Sequence, residues 1–150
     1  VKLVADTGGI VAAMNSAEPD HELYRAALES AATAVISPLV VAEVHYLLST
    51  IGAHGAANDF LEDLAGGFYE LAAIAAEDYA VAAALIKRYE GRTERKRRKP
   101  GSLDLVDAVN IVLAHRHSTN LILATDQDYR VTTPVSGHHY FVLLPMDAPT

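Results

Sequence analysis

Cysteine is absent from the 150 residues, which excludes disulfides, thiolate zinc sites, iron–sulfur clusters and a cysteine nucleophile together. Long apolar runs are absent as well. Even the longest, the eight residues from Tyr79 to Ile86, falls far short of the roughly 20 residues that a membrane-crossing helix needs, as does Leu71 to Ala76, so no span is expected. Lys2 is followed by only a few apolar residues before Asp6, too short a stretch for a secretory signal, and a cytoplasmic protein is expected. Neither GxxxxGK[ST], GxGxxG nor GxSxG occurs, which removes P-loop hydrolases, dinucleotide enzymes and serine esterases. The seven histidines give no HExxH: His115 and His117 point to different helix faces, and His138 and His139 are adjacent. No lysine follows Lys99, as a phosphoacceptor receiver domain would require, and Gly8 stands where a dehalogenase-like phosphatase would carry its second aspartate.

What is present is the composition of one folded domain spanning 1–150, with 51% hydrophobic and 21% charged residues. Acidic residues outnumber basic ones 19 to 12, a net charge of −7 that taken alone argues against a nucleic-acid partner. The distribution reverses that argument. Eight of the twelve basic residues lie between 87 and 99, opposed only by Glu90 and Glu94, so this stretch is +6 and the remainder −13. Arg92, Arg95, Lys96, Arg97, Arg98 and Lys99 therefore form a candidate RNA-binding run on an acidic body. A solvated loop is the plainer alternative.

Short apolar runs at 1–5, 34–36, 68–72, 121–124 and 140–144 predict buried strands. Between them, helical spacing predicts helices over 19–32, 38–52, 55–65, 76–90 and 103–117. Ser37-Pro38 is a cap followed by proline at the first helical position, Ser102 is the candidate cap of the 103–117 helix, and 145–150 reads as a frayed tail. Strand and helix alternate throughout, which predicts a three-layer α/β sandwich with a mostly parallel central sheet.

Ligands bind outside the carboxyl ends of parallel strands, and acidic residues collect there. Asp6 follows the first strand and Asp126 the strand 121–124, while Asp104, Asp107 and Asn110 read as one face of the preceding helix. Glu43 interrupts the most apolar half of the 38–52 helix, which is expected to pack inside the domain, so it needs a partner, a proton or a cation. Each residue taken singly is an ordinary cap or turn former, Asp126 and Asp128 included. Together they suit a divalent ion, and an all-oxygen set without cysteine points to Mg²⁺ or Mn²⁺.

Asp6-Thr7, Glu43 within Pro38 to Val44, Asp107 within Leu105 to Asn110, and Ala124-Thr125-Asp126-Gln127-Asp128-Tyr129 follow in order from end to end of the chain. In this order they resemble the four acidic motifs of PIN domains, more narrowly those of the VapC toxins of bacterial VapBC toxin–antitoxin modules. The resemblance implies a PIN-like fold and a metal-dependent endoribonuclease, usually a homodimer, silenced by a VapB-like antitoxin that inserts a segment into the active site. It implies Asp6, Glu43, Asp107 and Asp126 as catalytic metal ligands, beside which Thr7, Asp104, Asn110, Thr125 and Asp128 are candidate auxiliary residues. A water nucleophile would leave 5′-phosphate and 3′-hydroxyl ends, and chemistry of that kind is blind to the sugar, so DNA is also a conceivable substrate. A non-catalytic RNA- or protein-binding module on the same fold is the alternative. Four features depart from the family pattern: Gly8 replaces the serine that often follows the Asp-Thr pair, Thr125 and Asp126 are adjacent where an extra residue is usual, the 91–101 connection is long, and Asp104 is an additional carboxylate.

Overall fold

A computed structural model describes residues 1–90 and 103–147; the run from Arg92 to Lys99, with its six basic residues, and the candidate cap Ser102 lie outside the described residues. The element order is β1 (Lys2–Ala5), α1 (Thr7–Met14), α2 (His21–Ser30), β2 (Thr33–Ile36), α3 (Pro38–Thr50), α4 (His54–Ala65) and β3 (Glu70–Leu71). It continues with α5 (Ala76–Arg88), α6 (Leu105–Arg116), β4 (Leu121–Leu123), a 3₁₀ turn (Gln127–Val131) and β5 (Val142–Leu144). All strand pairs are parallel, in the order β3-β2-β1-β4-β5.

Alternation along the strands assigns the two faces. Val4 and Val35 turn toward α5 and α6, whereas Leu3, Ala5, Ala34 and Ile36 turn toward α1, α2, α3 and α4. The result is the three-layer sandwich that the strand–helix alternation predicts, with cores on both sides of the sheet. The chain leaves β1 for β2 on one side, while β4 pairs on the other, so a crevice opens at the carboxyl ends of β1 and β4.

Four local expectations are corrected. Asp6-Thr7-Gly8-Gly9 reads in sequence as turn residues bounding the first strand, but the chain passes directly from β1 into α1 through Asp6; Gly9 is needed where α1 presses on β4, and Gly8 where α1 meets the segment after it. A Cβ on Gly9 would run into the Leu123 carbonyl oxygen, and one on Gly8 into Thr125 Oγ1. The helix enclosed by the domain is α6, buried continuously from Asp107 to Ala114, whereas α3 buries only Val40, Val44 and Leu48 and leaves Tyr46 and Leu47 exposed. Asp104 lies one residue before α6 rather than on its face, and caps it by accepting from the Val106 N–H at 2.9 Å. The C-terminal segment is tied down as far as Asp147, which pairs with both Arg130 terminal nitrogens at 2.9 and 3.0 Å and accepts from the Leu143 N–H.

Candidate active site

The crevice at the ends of β1 and β4 is a cavity of about 370 Å³ whose walls carry Asp6, Thr7, Gly8, Glu43, Asp104, Asp107, Thr125 and Asp126. Four separated parts of the sequence supply its acids: Asp6 from the β1–α1 junction, Glu43 from the second turn of α3, Asp107 from the first turn of α6, and Asp126 from the segment after β4. Seven of the nine acidic, amide and hydroxyl residues singled out in the sequence line this one cavity. The other two, Asn110 and Asp128, are buried and join it through hydrogen bonds or carboxylate proximity.

Asp6 is the first residue after β1, and its N–H donates to the Leu123 carbonyl at 3.0 Å, which fixes its backbone to β4. Although it occupies the position before α1, its side chain makes no capping bond, so the carboxylate is turned to the cavity. Burial pushes its carboxyl up to about 7; the Thr7 N–H opposes this, and the charges of Asp126, Glu43 and Asp104 add to it. Glu43 is half-buried and accepts a 2.6 Å hydrogen bond from the Thr7 hydroxyl, the partner that its place on an apolar helix demands. Thr7 thereby ties the first acidic segment to the second. Oxygen atoms of Asp107, Asp126 and Asp128 lie within 4.8 Å of one another. Asp126 also stiffens its own segment by accepting from the Asp128 N–H at 2.9 Å.

Behind the carboxylates lies a network that the sequence reading catches only at Asn110. Asn110 is fully buried on α6, and its amide nitrogen donates to Asp6 Oδ1 and to the Tyr129 hydroxyl, both at 3.0 Å. The Tyr129 hydroxyl donates in turn to Asp107 Oδ1 at 3.1 Å. Burial, then the Asp107 and Asp6 charges, raise the Tyr129 phenol well above its usual range, so it stays protonated and able to donate. Tyr129 reads in sequence as an ordinary core aromatic; its one distinguishing signal is its place immediately after Asp126-Gln127-Asp128. Tyr46 and Leu47, on the cavity rim, are also missed, although Tyr46 lies three residues after Glu43 and so shares its helical face.

Gly8 and Thr125, both in departures from the family motifs, are neighbours in space. Thr125, exposed at the cavity wall, occupies the space that a side chain at position 8 would take, so a hydroxyl remains beside the carboxylates with glycine at 8.

Residues 3–133 match the family model of the PIN domain. Ribonuclease VapC26 of Mycobacterium tuberculosis (strain ATCC 25618 / H37Rv) is 34% identical over 143 residues, covering 94% of this chain and 99% of that protein. In fold, the chain is similar to the crystal structure of VapC20 of Mycobacterium tuberculosis, a Sarcin-Ricin loop cleaving toxin, with a TM-score of 0.69 at 18% identity over 84% of this chain and 91% of that one.

Proposed function

The chain belongs to the PIN-domain family, and from that premise we propose that it is a metal-dependent endoribonuclease acting as the toxin of a toxin–antitoxin pair. The observation that carries this reading is the convergence of Asp6, Glu43, Asp107 and Asp126 on one cavity at the carboxyl ends of β1 and β4.

The donor set fits a hard divalent cation. All the candidate ligands are carboxylate oxygens, and no cysteine competes for a softer metal. Oxygen atoms of Asp107 and Asp126 lie within 4.8 Å of each other and of Asp128, a grouping that could hold a cation, while Asp6 and Glu43 fall outside that group and line the same cavity. A proton held by Asp6 up to about pH 7 is the mark of a buried acid crowded by like charge, a state that a cation relieves. We assign Asp6, Glu43, Asp107 and Asp126 as the residues that hold Mg²⁺ or Mn²⁺. The ion would lower the pKa of a coordinated water and offset charge developing on the phosphate.

The chain's own residues supply the rest. Asp6 and Asp107, both nearly inaccessible to solvent, are held by hydrogen bonds before substrate arrives and so need little reorganisation. The Thr7 hydroxyl fixes Glu43 in the orientation that faces the cavity. The Thr125 hydroxyl, on the cavity wall, would be a donor to a phosphate oxygen. Asp104 caps α6 and adds negative charge at the mouth. The run from Arg92 to Lys99 supplies the positive charge that opposes the repulsion between an acidic site and an RNA backbone. A homodimer and a VapB-like antitoxin that seats a segment in the cavity complete the proposal.

The test is cleavage of a mixed cellular RNA pool by purified protein with Mg²⁺, Mn²⁺ or chelator, beside Asp107→Asn, with product ends mapped. Metal-dependent cuts bearing 5′-phosphate and 3′-hydroxyl ends are expected, reduced about 100-fold or more in the variant. Cyclic 2′,3′-phosphate ends would refute the mechanism. Folded, antitoxin-free protein that cuts nothing under any metal would make the chain a binding module.

A further inference from the structure

The relay beneath the site has a fixed direction. Asn110 Nδ2 carries two protons and directs one to Asp6 Oδ1 and the other to the Tyr129 oxygen. With its oxygen accepting, the Tyr129 hydroxyl has one place for its own proton, Asp107 Oδ1. Turning the amide around would set a carbonyl against a carboxylate, so the orientation follows from the chemistry. In this orientation Asn110 Oδ1 is buried with no hydrogen-bond partner among the described residues. Leucine at 110 and phenylalanine at 129 would fill nearly the same volumes without that unpaired oxygen. A buried amide and hydroxyl that leave a polar atom unsatisfied while both bonding networks end on carboxylates are placed there for the carboxylates.

We propose that Asn110 and Tyr129 are positioning residues, a single hydrogen-bonded relay that sets the side-chain orientations of Asp6 and Asp107 relative to each other and so governs divalent-cation affinity. The proposal rests on the nuclease reading above and deepens it. Outer hydrogen-bond partners of metal ligands are worth about 10–100-fold in metal affinity. The relay differs from ordinary core polarity in joining α6 and the 3₁₀ turn to the β1 end, so two side chains from two elements fix one ligand after β1 and one on α6.

The experiment compares the full chain with Tyr129→Phe, Asn110→Leu and the double variant. Mn²⁺ affinity is measured by titration calorimetry in the absence of RNA, and turnover is followed against Mn²⁺ concentration. Tyr89→Phe is the control: Tyr89 is buried and its hydroxyl bonds Thr133, away from the cavity, so it reports the loss of a core hydroxyl alone. Tyr129→Phe is expected to weaken Mn²⁺ binding about tenfold, to lower kcat at subsaturating Mn²⁺ and regain it at saturation, and to leave KM for RNA unchanged. Adding it to Asn110→Leu should cost no more than about twofold further, the mark of one relay. Should Asn110→Leu fail to fold, Tyr129→Phe against Tyr89→Phe still decides. Wild-type Mn²⁺ affinity in Tyr129→Phe, or an equal loss in Tyr89→Phe, overturns the relay and leaves the nuclease reading standing. A wild-type chain that binds no Mn²⁺ and cuts no RNA overturns both.

Discussion

Burial at the end of β1 leaves Asp6 holding a proton that the unfolded chain releases near pH 3.8, and this dictates how the metal-free protein responds to pH. The stability that the raised pKa brings is complete below the unfolded value and is lost as pH rises to about 7, beyond which the ionised, crowded carboxylate weighs on the fold. Asp6→Asn removes that burden along with the ligand. In chelator at pH 8 the variant should melt above the wild type by about 2 kcal/mol, or roughly 4–8 °C, with a smaller gap at pH 5; thermal scans at the two pH values check this, and a wild-type chain with the higher Tm would contradict it. The glycines make a second residue-scale prediction. Gly9→Ala drives a methyl onto the backbone of Leu123 and should cost about 1–3 kcal/mol, read as a Tm loss of several degrees. Gly8→Ala meets the Thr125 side chain instead, so Thr125→Ala should restore most of what it loses. At this scale the four acids are legible in the sequence because carboxylates at strand ends and within apolar runs are conspicuous. Tyr129 is not, because aromatic burial and aromatic hydrogen bonding look alike until the partners are in place.

Between elements, α5 and α6 are joined by Arg116, which bonds Asp78 Oδ1 at 2.5 Å and the Ala73 carbonyl at 2.7 Å, while Asp78 Oδ2 accepts from the Ala75 N–H. The Arg116 hydrogen bond, then the Ala75 N–H, hold the Asp78 carboxyl below its usual value. The stabilisation from this lowered pKa is present above the unfolded value and lost as pH falls through the folded one. Asp78→Asn should therefore lower Tm at pH 7, and the gap should close as the pH is taken below the ordinary carboxylate range; a gap independent of pH would assign the effect to packing. The principal helices and strands are legible at this scale from periodicity and from the Ser37-Pro38 cap, whose hydroxyl accepts from the Leu39 N–H at 3.1 Å. Helix α1 is not, since Gly8-Gly9 opposes helix locally and only the close approach to β4 and to Thr125 after it explains the two glycines. Nor is the exchange of roles between α3 and α6: α3 carries more apolar residues than its partners cover, and α6 buries two polar ones, Asp107 at the cavity wall and Asn110 bonded to Asp6 behind it.

Across the molecule, an acidic body and a basic run divide the electrostatics of binding. Neutralising Arg95, Lys96, Arg97 and Arg98 together should weaken binding of a catalytically dead chain to unrelated RNAs alike and reduce the salt slope, by about 0.7 for each phosphate of a single strand that is no longer neutralised. Filter binding across a salt series reads both; an unchanged slope would make the run a solvated loop. The sequence carries this asymmetry openly, and the alternation of its elements carries the parallel sandwich. What it does not carry is the pairing of β1 with β4, between residues more than a hundred apart. That pairing has a consequence for synthesis. Asp6 and Glu43 leave the ribosome early, Asp107 and Asp126 late, and β5, which flanks β4, last of all. An N-terminal fragment, whether from a stalled ribosome, a truncated message or a protease, holds half of the acids and no crevice, so it is inert. Whatever the cell must restrain comes into being only as the final strands take their places.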